Sequence, residues 1–437
     1  MEKVTVIGAG LAGSECAWQL ARRGVPVRLV EMKPTKMTPA HVSPYFGELV
    51  CSNSLRSDEL TNAVGLLKEE LRLLGSLIME AADQNRVPAG GALAVDRVGF
   101  AQYITHQIRM NSNIEVVEAE ADIVPEGETI IASGPLTSDA LADAISKLCP
   151  EFDLHFYDAV APIVTLESVH MDSAFFASRY DKGTADYVNC PMSKEEYVAF
   201  VTELVNAKQA EVHGFDDAGV FEGCMPVEVM ARRGVDTLRF GPLKPVGLKD
   251  PRTGEEPYAV VQLRKDNADG TIYNLVGFQT HLTWGEQRRV FCMVPALKDA
   301  EFVRYGVMHR NTYLNSPGLL DRYYRLKKLP RVSFAGQMTG VEGYVESCAS
   351  GMLAGVETAA KMLGLPPVDF PQETAIGALA AYVSGGSVGD FQPMNVNFGI
   401  ITPLDHRVRG KRNKNAEISA RSLKIIEELK AKEVFQI

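Results

Sequence analysis

Two cysteines stand where the neighbouring sequence favours a reactive thiol. Cys224 follows a glycine and precedes Met225-Pro226-Val227, a segment that predicts a helix with proline near its first turn. A thiol at such a helix start is shifted towards thiolate by the helix dipole and by unpaired N–H groups. Cys51 follows an apolar strand pattern, with Arg56 nearby to favour negative charge. The sequence therefore predicts thiolate chemistry at these two positions.

The other five cysteines have weaker claims. Cys190 lies before a proline and a predicted capped helix, so it shares part of the same local chemistry. The remaining four lie in apolar patterns and are interpreted as core residues: Cys16, Cys149, Cys292 and Cys348. The seven cysteines are scattered and never form C-x-x-C. We therefore expect reduced thiols, without a disulfide framework and with no metal site.

A glycine motif near the N-terminus predicts a dinucleotide site. In G-x-G-x-x-G the first glycine permits a tight turn, the second lets backbone approach a pyrophosphate, and the third lets helix and strand pack closely. Glu31 lies 18 residues beyond the motif, where its carboxylate can accept ribose hydrogen bonds and disfavours a 2′-phosphate. FAD or NAD(H) therefore fits better than NADP(H). The predicted contact residues are Gly8, Ala9, Gly10, Leu11, Ala12, Gly13 and Glu31.

The elements around this motif predict a Rossmann-type α/β fold. Residues 3–7 predict a strand, 14–23 a helix that Gly24 ends, and 25–30 a second strand, which together make a βαβ unit. Further apolar periodicity predicts helices at 61–77, 98–110 and 343–362, and strands at 114–120, 129–132 and 332–336. From about 155 to 300 the chain gains aromatic and alternating stretches typical of an antiparallel sheet, with one helix capped by Ser193. We predict an inserted α+β domain at 156–299 within a discontinuous domain of 1–155 and 300–437.

A second set of glycines precedes the predicted helix at 343–362. Gly336, Gly340 and Gly343 would let backbone approach a cofactor ring, and the positive end of that helix would stabilise negative charge on it. The alternative is that these glycines serve helix packing. The sequence has no second strand–G-x-G-x-x-G–helix unit, so we expect a nicotinamide reductant to bind only transiently.

The charge balance argues against a general polyanion binder. The chain has 45 Lys+Arg against 55 Asp+Glu, a net charge of −10, so its mean field repels phosphate. Residues 402–437 nevertheless carry +4 and the rest −14. The candidate phosphate contacts are Arg407, Arg409, Lys411 and Arg412, unless this run is simply a solvated face. No apolar run approaches ~18 residues and no signal peptide is recognisable, so we expect a cytoplasmic protein.

Several segments together closely resemble one family. They are GAGLAG (8–13) with Glu31, ELVCSNSLR (48–56), PAGGALAVDR (88–97), FEGCMPVE (221–228) and FAGQMTGVEGYVE (334–346). Over essentially the whole chain they resemble the bacterial folate- and FAD-dependent tRNA (uracil-5-)-methyltransferases, TrmFO, of the GidA-like flavoproteins. The resemblance implies a glutathione-reductase-like FAD-binding domain with an inserted domain.

The resemblance also implies an activity. A methylene group would pass from 5,10-methylenetetrahydrofolate to C5 of uracil 54 in the tRNA T loop, with reduced FAD as relay and reductant and NAD(P)H restoring the flavin. It implies Cys224 as the nucleophile on C6 and Cys51 as the thiol near the flavin. Residues 279–281 and 309–311 are candidate folate contacts, or equally internal hydrogen-bonding groups. tRNA and folate are the expected partners, without a membrane or an obligate protein partner.

Two other functions stay open at this point. The dinucleotide motif alone would also suit an FAD-dependent oxidoreductase acting on a small molecule. A GidA-like tRNA-modification component that depends on a partner protein is the second alternative. RNA-dependent turnover by the chain alone separates both from the methyltransferase.

Overall fold

A computed structural model shows how the chain folds. It describes residues 1–38, 40–148, 154–159, 161–181, 184–210, 225–267, 269–306, 308–386, 391 and 393–436. None of the helices in these ranges is both long and apolar enough to cross a membrane.

Five of the described strands form a parallel sheet. They are β1 (Val4–Ile7), β2 (Val27–Glu31), β6 (Ile114–Glu118), β7 (Thr129–Ile131) and β16 (Val332–Phe334), in the spatial order β16-β7-β1-β2-β6. In register, Val6 lies opposite Leu29 on one side and Ile130 on the other. All four residues of β1 are buried, as expected for a central parallel strand covered on both faces. The predicted α/β class and N-terminal βαβ unit are confirmed.

Helix α1 (Leu11–Ala21) crosses this sheet in close contact with α10 (Tyr344–Met362). A Cβ added at Gly351 would lie 2.2 Å from the Ala12 carbonyl oxygen, and one at Gly355 would lie 2.9 Å from that of Cys16. Glycine at these two positions of α10 therefore lets the backbones meet. Four further helices contribute to the same apolar core: α4 (Arg97–Met110), α5 (Asp139–Leu148), α11 (Ala375–Ala381) and α12 (Lys411–Lys430).

The helix predicted at 61–77 is α2 (Ala63–Leu73), and a separate helix, α3 (Leu77–Gln84), begins where the prediction ended. Gly75 has φ +76°, a left-handed conformation that ends α2. The Ser76 hydroxyl then accepts a hydrogen bond from the Met79 amide and caps α3. The prediction of a helix is confirmed, but its predicted end at residue 77 was wrong, because the stop at Gly75 and the cap at Ser76 lie inside the apolar pattern.

The described strands between residues 163 and 304 form an antiparallel sheet. They are β9 (Ile163–Thr165), β10 (Phe175–Ala177), β11 (Tyr187–Met192), β12 (Ala259–Lys265), β13 (Ile272–Leu275) and β14 (Phe302–Arg304), in the spatial order β10-β11-β12-β13-β9-β14. Its helices are α6 (Lys194–Asn206), α7 (Val227–Arg232), α8 (Thr237–Phe240) and α9 (Trp284–Phe291). Ser193 caps α6 through a capping box with Glu196, as predicted. This sheet has its own apolar core.

Two small sheets complete the described structure. Strands β8 (Leu154–Ala159) and β15 (Met308–Tyr313) form an antiparallel ribbon at the two places where the chain passes between the cores. Strands β3 (Ser54–Ser57), β4 (Arg86–Val87) and β5 (Ala92–Val95) form the other. The domain boundaries at 155/156 and 299/300 stay a prediction.

A buried carboxyl joins three of the helices. Glu70 of α2 accepts hydrogen bonds from the Ala375 and Ile376 amides, at 2.7 and 2.9 Å, and from the Ser422 hydroxyl of α12. It thereby caps α11. Burial raises the pKa of Glu70 to about 7.

This carboxyl predicts a pH-dependent loss of stability. Because its pKa is higher in the folded than in the unfolded chain, its contribution is complete below about pH 4.5 and is lost as pH rises through about 7. The change amounts to roughly 3 kcal/mol at most. We expect thermal denaturation of Glu70→Gln to show a smaller decrease in Tm between pH 5 and 8 than wild type. The exposed Glu428→Gln serves as control, and parallel profiles for all three proteins would contradict the prediction.

Candidate active site

The glycine loop between β1 and α1 forms an open cradle. Gly8 has φ +98°, and a Cβ there would lie 2.6 Å from the Ala132 carbonyl oxygen. A Cβ at Gly13 would lie 1.8 Å from the Gly8 carbonyl oxygen, whereas one at Gly10 would meet nothing within 4 Å. The first and third glycines are thus required by the fold, and the second faces open space at the start of α1. This arrangement fits a pyrophosphate on the helix N-terminus.

Glu31 ends β2 beside this cradle. Its side chain is buried, and its two oxygens accept hydrogen bonds from the Ala9 amide at 2.6 Å and the Lys33 amide at 3.0 Å. Each oxygen keeps a lone pair for a further donor. A pocket lined by Gly8, Gly10 and Glu31 extends past Thr137 and Leu141. The residues present therefore fit the adenosine end of a dinucleotide such as FAD.

The second glycine set lies at the turn before α10. Gly336, Gly340 and Gly343 all have positive φ, at +86°, +88° and +110°. A Cβ at Gly340 would lie 2.3 Å from the Phe391 ring, and one at Gly343 would lie 2.4 Å from a Glu346 carboxylate oxygen. Gly336 lies against α1, with 3.1 Å between its added Cβ and that of Ala12. Close packing alone therefore accounts for each of these three glycines. The contact between Gly336 and Ala12 brings the two glycine sets together at this turn. Contact of the second set with a cofactor stays a prediction.

The start of α10 holds the Cys51 loop. The amides of Cys51 and Ser52 both donate to the hydroxyl oxygen of Tyr344, at 2.7 and 3.2 Å. Burial, followed by negative charge on Cys51, raises the pKa of Tyr344, so this phenol stays protonated. Arg97 donates to the Leu49 carbonyl oxygen and, at 3.4 Å, to that of Cys51. The irregular segment carrying the thiol is therefore fixed by hydrogen bonds beside both glycine sets.

Arginines connect this loop to the antiparallel sheet. Arg97 forms a bidentate ion pair with buried Asp266, with N–O distances of 2.7 and 3.0 Å. Arg264 donates to the Ser52 hydroxyl at 2.5 Å and to the Asn53 side-chain oxygen at 3.1 Å. Burial lowers the pKa of Arg264. Within the described part of the chain, no carboxylate lies within 4 Å of Arg264, so its positive charge faces the Cys51 loop without a bound counterion.

Cys224 lies outside the described residues, but the helix that follows it is well anchored. The Val227 amide at the start of α7 donates to the Gln279 carbonyl oxygen at 2.7 Å. The fully buried Glu228 accepts from the Thr280 hydroxyl and the His281 amide, both at 2.8 Å. Residues 280 and 281 are thus buried and hydrogen-bonded within the protein, which favours the internal role over a folate contact for this segment. The side chains of the other candidate folate segment, 309–311, lie outside the described residues.

The remaining described cysteines differ from the half-exposed Cys51 because burial raises the pKa of their thiols. Burial raises the pKa of Cys190 to about 12 and also raises the pKa of Cys16, Cys348 and, less completely buried, Cys292. The structure therefore argues against Cys190 as a reactive thiol. Its local sequence resembles that of a reactive site, but its side chain belongs to the apolar core of the antiparallel sheet. Cys149 lies outside the described residues.

The four predicted phosphate contacts lie together at one end of α12. Arg407 and Arg409 precede the helix, and Lys411 and Arg412 begin it. All four side chains are exposed. Among the ion pairs formed by described residues, none includes these four, so their charge is available to a ligand.

An aromatic stack is a feature that the sequence reasoning missed. Trp284 is 64% exposed and stacks on Tyr305 with 5.6 Å between ring centroids. Tyr305 stacks in turn on Phe302 at 5.1 Å. The residue before Tyr305, Arg304, donates to the Ala40 carbonyl oxygen at 3.1 Å. The exposed face of Trp284 is suited to stacking on a flat ring, such as a base. The spacing of these aromatic residues along the chain gave no indication that they stack.

Comparison with known proteins agrees with this fold. A family model described as "Glucose inhibited division protein A" (GIDA) matches residues 3–366. Two crystal structures of GidA from Aquifex aeolicus superpose with a TM-score of 0.70 at 16% identity, covering 99% of this chain and 75% and 77% of theirs. At that identity the likeness shows the fold alone. The predicted Rossmann-type FAD-binding fold is confirmed.

Full-length relatives are much more similar. A protein from Acetivibrio thermocellus is 62% identical over 433 residues, with 99% of both chains covered. Proteins from Desulfitobacterium hafniense and Listeria monocytogenes are 59% and 58% identical, covering 99% and 98% of both chains. Each is named methylenetetrahydrofolate–tRNA-(uracil-5-)-methyltransferase TrmFO. The family match and these full-length identities together show that the chain belongs to the GidA family and, within it, to the TrmFO group.

Proposed function

We propose that this protein methylates C5 of uracil 54 in the T loop of tRNA, with 5,10-methylenetetrahydrofolate as the carbon donor and FAD as cofactor. The observation that carries the proposal is the Tyr344 hydroxyl, which holds the Cys51 loop at the start of α10 by hydrogen bonds of 2.7 and 3.2 Å. A thiol is thereby fixed next to both glycine sets. The full-length relatives bear the name of this activity.

The chemistry needs a nucleophile that acts on the uracil ring. C5 of uracil becomes nucleophilic only after addition at C6, and a thiolate is suited to that addition. We assign this step to Cys224, which precedes the anchored helix α7. The C6–S bond forms first, and C5 then bonds to the one-carbon unit. Loss of the C5 proton together with cleavage of the bond between that carbon and its carrier nitrogen leaves an exocyclic methylene at C5. Addition of a hydride to this methylene gives the methyl group as the C6–S bond breaks and the thiolate leaves. Bound FAD supplies the carbon relay and the reducing equivalents that turn the methylene into a methyl group.

The residues around Cys51 prepare the second thiol. Tyr344 fixes its amide, Arg97 its carbonyl and Arg264 the two side chains that follow it. The Arg264 guanidinium thus lies beside the residues that follow the thiol, through hydrogen bonds of 2.5 Å to the Ser52 hydroxyl and 3.1 Å to the Asn53 side-chain oxygen. We assign Cys51 to the flavin side of the reaction, including assistance in removing the C5 proton. This division between the two cysteines is part of the proposal.

The other contacts complete the proposal. Gly8, Gly10, Gly13 and Glu31 hold the adenosine and pyrophosphate of FAD, and Gly336, Gly340 and Gly343 bring backbone to its ring. NAD(P)H restores the flavin in a transient encounter. Arg407, Arg409, Lys411 and Arg412 contact tRNA phosphates.

One assay tests the function directly. We expect the purified chain with FAD to transfer label from methylenetetrahydrofolate to a T-arm RNA when NADH or NADPH is present. The matched control is the same RNA with uracil 54 replaced by cytosine. Transfer from S-adenosylmethionine without folate would contradict the proposal. Reductant oxidation without RNA would favour the small-molecule oxidoreductase, and dependence on an added protein would favour the partner-dependent component.

A further inference from the structure

A polar groove runs from the start of α12 to the start of α10. It is lined by Arg56, Thr61, Asn62, Asn397, Lys411 and Asn415, with apolar residues such as Val64 and Val396 between them. Among the described residues that line it, two are cationic and none is acidic. In a chain with a net charge of −10, a groove of this composition is suited to a phosphate-bearing ligand.

Arg56 is held in this groove against its conformational preference. Its φ is +64°, the left-handed region that residues with a side chain seldom adopt. The conformation is fixed because the Arg56 amide donates to the Ser54 hydroxyl at 3.0 Å and its carbonyl oxygen accepts from Lys68 at 3.3 Å. Lys68 is fully buried and also bonds the carbonyl oxygens of Leu55 and Ser57. A buried lysine thus holds the strand turn that presents Arg56.

The guanidinium of Arg56 is only partly used within the protein. One of its nitrogens pairs with the buried carboxylate of Glu346, while its side chain remains 39% exposed. Its remaining N–H groups face the groove and can donate to phosphate oxygens. The same nitrogen lies 3.1 Å from the position of an added Cβ at Gly343. The inner end of the groove is therefore at the start of α10, where the flavin ring is proposed.

The outer end joins the basic cluster. Lys411 is the first residue of α12, and exposed Arg412 follows it. Between the two ends the walls carry exposed amides, those of Asn62 and Asn397. The Asn397 side-chain oxygen accepts from the Gly399 amide at 2.9 Å, and its NH2 group donates to the Asn395 carbonyl oxygen at 3.1 Å. An amide NH2 has two N–H donors, so one is left for a ligand. Cations at both ends and amides between them form one continuous path.

We infer that this groove binds the sugar-phosphate backbone of the RNA strand that flanks the target uracil, with Arg56, Asn397 and Lys411 as phosphate contacts. The inference rests on the proposed function and deepens it, because it names the path by which the strand reaches the site. Phosphate contacts of this kind set register and orientation, and base contacts carry the sequence.

The test uses variants that change the charge of the groove. Asn397→Asp keeps the shape and the acceptor for Gly399, removes the donor to the Asn395 carbonyl oxygen and adds a negative charge to the groove. Lys411→Glu reverses the charge at the outer end. Lys424→Glu makes the same reversal at an exposed position 13 residues further along α12, about 20 Å away. Flavin content and Tm verify folding of each holoenzyme.

The readout is the Kd for T-arm RNA at several salt concentrations, with methyl transfer measured on the same proteins. We expect Asn397→Asp and Lys411→Glu to weaken binding by roughly 10-fold or more, and Lys424→Glu by less than about 2-fold. The log–log salt slope should fall by about 0.7–0.9 for each phosphate that a variant no longer neutralises. In methyl transfer, Asn397→Asp and Lys411→Glu should raise the KM for RNA, and Lys424→Glu should match wild type.

Two outcomes would overturn the inference. One is an equal loss of RNA affinity in Lys424→Glu and Lys411→Glu, which would indicate a diffuse field. The other is an unchanged RNA Kd with a raised KM for methylenetetrahydrofolate in Asn397→Asp, which would assign the groove to the folate carboxylates. Failure of the proposed function is distinct, since wild type would then bind RNA without transferring label to it.

Discussion

Replacement of Cys224 by alanine is expected to abolish methyl transfer while leaving the flavin bound. Without addition at C6 the uracil C5 has no nucleophilic character, so we expect a loss of at least about 1,000-fold. The cofactor residues described above lie on other segments of the chain, and FAD content should therefore equal that of wild type. The measurements are single-turnover label transfer to T-arm RNA and the visible absorption spectrum.

RNA that contains 5-fluorouracil distinguishes the two thiols. Fluorine at C5 cannot leave as a proton does, so the C6–S bond should persist and retard the RNA on a denaturing gel. We expect this covalent complex with wild type and not with Cys224→Ala. A complex that persists in Cys224→Ala but is abolished in Cys51→Ala would reverse the assigned roles. Cys190→Ala is the matched control, because its thiol is buried and its raised pKa keeps it protonated.

Local patterns were sufficient to predict much of the fold. The glycine motif, the apolar runs of β1 and β2 and the stop at Gly24 are adjacent in sequence, and each acts through its own backbone conformation. The same reasoning placed the end of α2 too late, at residue 77, because the stop at Gly75 and the cap at Ser76 lie inside a continuing apolar pattern. A cap signal is present there, but it lies inside an uninterrupted periodicity.

The residues that hold Cys51 could not be predicted from one sequence. Tyr344 lies 293 residues from Cys51, and Asp266 lies 169 residues from Arg97. The first pair meets because the start of α10 lies beside the Cys51 loop, and the second because the antiparallel sheet docks on it. No local spacing encodes either contact. Cys190 illustrates the converse, since its local sequence suggested reactivity while the packing of the sheet buries it. Burial is a tertiary property, and a thiol's pKa follows it.

Replacement of Gly10 by valine is expected to yield a folded protein that no longer binds FAD. An added Cβ at Gly10 meets no atom within 4 Å, so the chain leaves room for a side chain to begin there. The new methyl groups would occupy the space at the start of α1 that the pyrophosphate needs. We expect FAD affinity to fall by about 100-fold or more, measured by fluorescence titration of the apoprotein, with an unchanged far-ultraviolet circular dichroism spectrum.

Two further glycines make this result specific. Gly13→Ala should fail to accumulate as folded protein, because its Cβ would lie 1.8 Å from the Gly8 carbonyl oxygen and neither backbone can move away. Gly285→Ala should bind FAD normally, because a Cβ there also meets nothing within 4 Å and alanine suits α9. Normal FAD binding by Gly10→Val would show that the cofactor does not approach this loop. Loss of binding in Gly10→Val together with normal binding in Gly285→Ala would support the open space at Gly10 as the phosphate site, since an added Cβ meets no atom within 4 Å at either position.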